Sequence, residues 1–173
     1  SIDPQNDYTL WSNPVSIGTR AVSLSRIAFR QIGSVKNADV QNFRLYVDGI
    51  QVGSAVANLD SGGYVTFDLS ASPKAMETGT RTIKLVGDII GGSNLNAKFS
   101  LRNTADATFK DSQLSVAILA TASSSTFSAQ TAGLLTINSG SVIITKRADS
   151  PANNVVLSAS GVTLAKYDVK ASG

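Results

Sequence analysis

The side chains of this chain that could do chemistry are almost all aspartates. Eleven Asp and a single Glu, Glu77, supply the acid groups, and there is no His and no Cys. That composition removes imidazole acid–base catalysis, thiol nucleophiles, Ser-His-Asp and Cys-His triads, and the usual zinc sites. Paired carboxylates could still hydrolyse a glycoside. The aspartates, however, stand where turns are expected: Asp48 before Gly49, Asp60 before Ser61-Gly62, Asp106 and Asp111 flanking a loop. Asp bonds nearby backbone amides and so makes turns. No catalytic residue is assigned, and the chain reads as a protein that is not an enzyme.

Four binding chemistries can be set against particular residues. Calcium needs several converging oxygens, often from Asp and Asn in loops. "NTADATFKD" (Asn103–Asp111) and "KNAD" (Lys36–Asp39) could contribute, but no DxDxDG loop exists; no cofactor is expected, Ca²⁺ being the one candidate. "GDIIGGSN" has glycines but no GK[ST] and no following helix, so it reads as a hairpin turn rather than a phosphate loop. A Lys–Asn crosslink, drawn from Lys84, Lys98 or Lys170 with Asn42, Asn103 or Asn138, needs a buried acid of raised pKa. The only Glu lies in a loop. A carbohydrate platform wants grouped, exposed rings; Trp11, Tyr46 and Tyr64 are the candidates, with Tyr46 better suited to a cross-strand role.

Net charge is +3, only 16% of residues are charged, and the basic residues are scattered. Nucleic-acid binding calls for a dense basic patch, so it is not expected. No apolar run approaches a membrane span and no signal-like segment opens the chain, which is expected to be mature or excised from something longer. Absent Cys excludes only a disulfide scaffold.

The elements that would position these residues are strands. Hydrophobic residues make up 42% of the chain, with 14 Gly and many Ser, Thr, Asn and Val, a β-rich and globular composition. Residues 1–19 are polar, carry Pro4 and Pro14, and read as a linker or lead-in anchored by Trp11. "AVSLSRIAFRQ" is the first strand. "NFRLYVDGIQVGSAV" is a hairpin about Asp48-Gly49, which supplies the positive φ of a type I′ turn. "YVTFDLS" alternates, with Val65, Phe67 and Leu69 on one face. "SPKAMETGT" is a loop with room for one helical turn. "RTIKLVGDII" is a strand, and in "LNAKFSLR" Leu95, Ala97, Phe99 and Leu101 point inward. "LSVAILA", "LLTIN" and "SVIITKR" complete about eight strands. Their spacing, with no convincing helix between them, predicts an all-β, Ig-like antiparallel two-sheet β-sandwich of seven to nine strands, with a C-terminal extra strand. The expected core is Leu45, Val47, Val65, Phe67, Leu69, Ile83, Leu85, Phe99, Leu101, Val116 and Ile118.

The two ends of the chain repeat each other. "VSLSRIAFRQIG" (Val22–Gly33) lies over "VTLAKYDVKASG" (Val162–Gly173) with Val, Leu and Gly identical at three positions. The apolar phase matches better than the identities. Val22 and Leu24 share one parity, and Ile27 and Phe29 take the other. Val162 and Leu164 share one parity, and Tyr167 and Val169 take the other. The switch falls at Arg26 or Lys166. A regular strand keeps its buried face, so the change marks a bulge or a crossing between sheets. "SNP" (Ser12–Pro14) also echoes "DSP" (Asp149–Pro151). Together these point to an internal repeat of about 140 residues; generic strand patterning is the competing explanation.

This order of strands, with "LYVDG", "SPANN" and a Ser-Pro linker into "VTLAKYDVKASG", resembles the tandem Ig-like β-sandwich repeats of large prokaryotic cell-surface proteins. The resemblance covers roughly Val15 to Gly173. It implies extracellular display in an S-layer, stalk or adhesin, and it carries no functional residue over.

The expected organisation is residues 1–19 as lead-in, 20–148 as the sandwich, and 149–173 as linker plus the first strand of a following repeat or a donated strand. The expected partners are copies of the chain or adjacent repeats. Three functions follow: a repeat of a surface protein; a filament or pilus-like subunit assembled by strand complementation through residues 153–173, with Val162, Leu164, Tyr167 and Val169 at the interface; or a carbohydrate-binding accessory module that takes surface glycans. An orphan strand exposes unpaired N–H and C=O groups, so residues 162–170 are expected to be paired.

Overall fold

The computed structural model of the chain describes residues 1–121, 126–152, 154, 158 and 160–172. The strands are β1 (Gln5–Ile17), β2 (Val22–Gly33), β3 (Val40–Val47), β4 (Ile50–Val56), β5 (Tyr64–Asp68), β6 (Lys74–Met76), β7 (Gly79–Ile89), β8 (Asn96–Leu101), β9 (Ala107–Asp111), β10 (Ala117–Ile118), β11 (Gln130–Thr131), β12 (Leu135–Thr136), β13 (Ser141–Lys146) and β14 (Tyr167–Ser172). Among the described residues the only helical element is a 3₁₀ turn at Thr104–Asp106. The chain divides into two units, Ser1–Asn138 and Ser139–Gly173.

The first unit is a β-sandwich of two antiparallel sheets. One has the strand order β1-β7-β3-β4. The other is built around β2, which pairs with β6 and then β5, and also with β9 and then β8; β10, β11 and β12 extend it. The two sheets meet through aromatic pairs. Trp11 of β1 packs on Phe29 of β2 at 5.1 Å, and Phe43 of β3 on Phe99 of β8 at 5.8 Å. Leu24, Ile27, Phe29, Phe43, Leu45, Val65 and Leu85 have no exposed surface. Each such side chain stabilises the fold by about 1.5–3 kcal/mol relative to leaving it in water.

Local sequence explains the turns and bulges. Val47 pairs with Ile50 across Asp48-Gly49, whose φ angles are 50° and 80°, the left-handed pair a two-residue hairpin requires. The phase change in β2 coincides with a register shift between Leu24 and Arg26 against β9. The shift turns Val22, Leu24, Ile27 and Phe29 all into the core and leaves Arg26 outside.

Several expectations need correction. Residues 1–19 are not a linker: Gln5–Ile17 is a sheet edge, paired with β7 from Gln5↔Ile89 to Ile17↔Gly79. Its polar residues face water while Leu10, Trp11 and Ile17 are buried, and Pro14 is tolerated because an edge position need not donate its N–H. "SPKAMETGT" holds no helical turn; Lys74–Met76 pairs with β2 as β6. Val116 and Ile118 are exposed rather than core, because nothing among the described residues covers that face of the segment. The units divide between Asn138 and Ser139, not at residue 148, so "SVIITKR" belongs to the second unit.

The second unit is an antiparallel ribbon. β13 pairs with β14 from Ser141↔Ser172 to Lys146↔Tyr167. At its connected end the Arg147 N–H donates to the Lys166 carbonyl, and the Lys166 N–H donates to Ser150 Oγ. Arg147 and Lys166 both bridge to Asp149, and Arg147 also to Asp168.

Candidate interaction surface

Sequence alternation sets the character of the ribbon. Val142 lies opposite Ala171, Ile144 opposite Val169, and Lys146 opposite Tyr167. Side chains alternate across a strand, so these six share one face. Ile143, Thr145, Asp168 and Lys170 take the other. Val142, Ile144, Tyr167 and Val169 are each more than half exposed, a contiguous apolar strip with nothing on it among the described residues.

The structure brings together two of the four expected interface residues. Tyr167 and Val169 stand side by side on β14. Val162 and Leu164 are exposed but precede the strand. In the segment 153–173, residues 153, 155–157, 159 and 173 lie outside the described residues. Val142 and Ile144, which complete the exposed strip, were not among the expected residues, since "SVIITKR" reads equally well as one more core strand. Its place next to β14 was the only signal, and that signal is three-dimensional.

Tyr167 and Val169 occupy the positions that Ile27 and Phe29 hold in the aligned segment of β2. Ile27 and Phe29 are completely buried in the first unit. The parity that faces a core in β2 is therefore the parity left bare on β14.

The other candidates resolve into structural roles. Asp106 accepts the N–H groups of Arg102 and Asn103. Asp111 accepts those of Leu114 and Gln113, which lower its pKa in that order, and it bridges to Arg20. Asp39 accepts the Lys36 N–H, Asp60 that of Tyr64, and Asp48 that of Thr82. Among the described residues, no three His, Cys, Asp or Glu side chains converge as a metal site.

The three aromatic candidates do not form a platform. Trp11 is 3% exposed, and its indole N–H donates to the Gln130 carbonyl at 2.9 Å. Tyr46 and Tyr64 lie on different sheets, and Tyr64 carries Arg30 over its ring at 5.3 Å. Trp11→Ala should therefore act through stability, lowering it by about 3–5 kcal/mol in urea denaturation. A variant of unchanged midpoint would put Trp11 back on the surface.

Asp88 is the most strongly perturbed acid. Its carboxylate accepts bonds from Arg44, the Asp7 N–H and Asn42 Nδ2. The Arg44 guanidinium first, and then the Asp7 and Asn42 donors, hold its pKa down from 3.8 to about 2. That is the reverse of the raised acid a Lys–Asn crosslink needs, and the cation beside Asn42 is Arg44, not Lys. A cleft of about 960 Å³ also opens in the first unit, with Val15 and Ile17 on one side and Phe109, Leu114 and Val116 on the other.

No family model, no curated protein and no solved structure matches the chain.

Proposed function

We propose that the chain is a non-catalytic structural and interaction module of a large extracellular surface protein, of S-layer, stalk or adhesin type, built from Ig-like repeats. The correspondence of Tyr167 and Val169 with Ile27 and Phe29, in phase as well as in sequence, carries this reading. A two-stranded ribbon is at best marginally stable in water. Its apolar face calls for a sheet to cover it, and a following unit of the same build supplies one. The filament reading keeps one supporting observation: β14 is paired on one edge only among the described residues, by β13.

The test extends the chain, placing a second copy of residues 34–138 directly after Gly173. Residues 139–172 are then expected to gain amide-exchange protection characteristic of a packed sheet. Val169→Asp should abolish that gain and Lys170→Asp should not. Exchange as fast as in the unextended chain overturns the repeat reading. Concentration-dependent association of the unextended chain, lost with Val169→Asp, favours the filament instead.

A further inference from the structure

The first unit is fastened where its two ends meet. Ile2 forms a parallel bridge with Ile137. The Ile2 N–H donates to the Thr136 carbonyl at 2.8 Å, and the Asn138 N–H donates to the Ile2 carbonyl at 2.8 Å. Asn138 Nδ2 adds a bond to Asp3 Oδ1 at 2.6 Å. Ile137 is fully buried and is tied on its other side to Leu95 and Asn94, while Ile2 packs against the same core. These residues lie at the two ends of the unit Ser1–Asn138.

Direction matters here. Paired parallel segments run the same way, so the chain leading back from Ile2 and the chain leading on from Asn138 depart towards opposite ends. Tension between them slides one segment along the other. The cross-strand bonds are then loaded together rather than broken one at a time from an open end. Beyond Ile2 the same pull acts along β1, whose pairing with β7 runs to Ile17↔Gly79, so this ladder is also loaded along its length.

We propose that Ile2–Asp3 and Thr136–Asn138 form a shear clamp that holds the sandwich against tension carried along the chain. The inference rests on the reading of the unit as one of a string. Resistance to force is set by the unfolding rate, not by equilibrium stability, so a few bonds placed across the line of force outweigh their share of the total.

Single-molecule stretching of the full chain between its termini tests the clamp. Asn138→Asp sets a like charge against Asp3 and should raise the unfolding rate of the first unit at fixed force about fivefold, the loss of one hydrogen bond. Exchanging the pair, Asp3→Asn with Asn138→Asp, should restore the rate. Because the chain has no Cys, cysteines at Thr19 and Ser61 give a second pulling direction, in which Asn138→Asp should change nothing. Equal acceleration in both directions, or none between the termini, overturns the clamp. Stretching reads the clamp whether or not further units follow, whereas exchange protection of the extended chain reads the string, so either can fail alone.

Discussion

Asp88→Ala should destabilise the sandwich by about 3 kcal/mol, the cost of leaving a buried cation with only the exposed Asp7 carboxylate, 2.9 Å from Arg44 Nη2, as its partner. Arg44 and Asp88 are both 13% exposed at the side chain, and Arg44 Nε has no acceptor of its own. Removing the carboxylate also frees the Asp7 N–H and Asn42 Nδ2. Both Asp7 and Asn42 sit at positive φ, 58° and 56°, beside register shifts in β1 and β3. Asp88, on β7 between them, thus holds two bulges at once. The same residue gives acid sensitivity a definite sign. A carboxyl held at about 2 in the fold, against an ordinary 3.8, stabilises fully above pH ~4 and ceases to do so as pH falls through 2. The parent should lose up to about 2 kcal/mol from this group between pH 5 and pH 2. Asp88→Asn should start lower and lose less. Urea midpoints at the two pH values decide the matter: equal losses in parent and variant would show that the pair does not set the acid limb.

Gly33→Ala should be nearly as damaging, at about 3 kcal/mol. Gly33 has φ of +135°, and a Cβ there would stand 2.3 Å from the Asn96 carbonyl oxygen. That oxygen already accepts the N–H groups of Ser34 and Val35, and the Asn96 N–H donates to Ser34 Oγ. Neither backbone can retreat without breaking the end of the β2–β8 ladder. Gly18→Ala is the control: nothing lies within 4 Å of its Cβ position and its φ is unstrained, so its effect should stay within about 0.5 kcal/mol. Similar denaturation midpoints for the two variants would refute the collision. Gly33 is also one of the three identities shared with Val162–Gly173.

What was legible in the sequence was local and periodic. Val65, Phe67 and Leu69 alternate as the structure has them, and so do Ala97, Phe99 and Leu101. Asp48-Gly49 forms its turn, and the phase slip at Arg26 is a bulge. What was not legible depends on distant partners. Asp88 looks like any strand aspartate until Asp7, Asn42 and Arg44 are brought round it from 81, 46 and 44 residues away. β1 was hidden by Pro14 and its polar residues, which an edge strand accepts and a central strand does not. "LSVAILA" misled in the other direction, since hydrophobicity alone does not say whether a second layer covers a segment. The bare face of β13–β14 followed from alternation in β14, but not its partner strand.

The proline that disguised β1 has a use of its own. Pro14 pairs opposite Thr82 at the rim of the four-stranded sheet, and it brings no amide hydrogen to the open side. A neighbouring strand approaching that rim meets a gap in the row of donors that it would need to zip alongside. Units of one kind held close together on a single chain are at high risk of exchanging strands while they fold. In the string of units proposed above, one imino acid at the rim of each would make the wrong pairing poorer than the right one, without removing a donor from an edge position that need not give one.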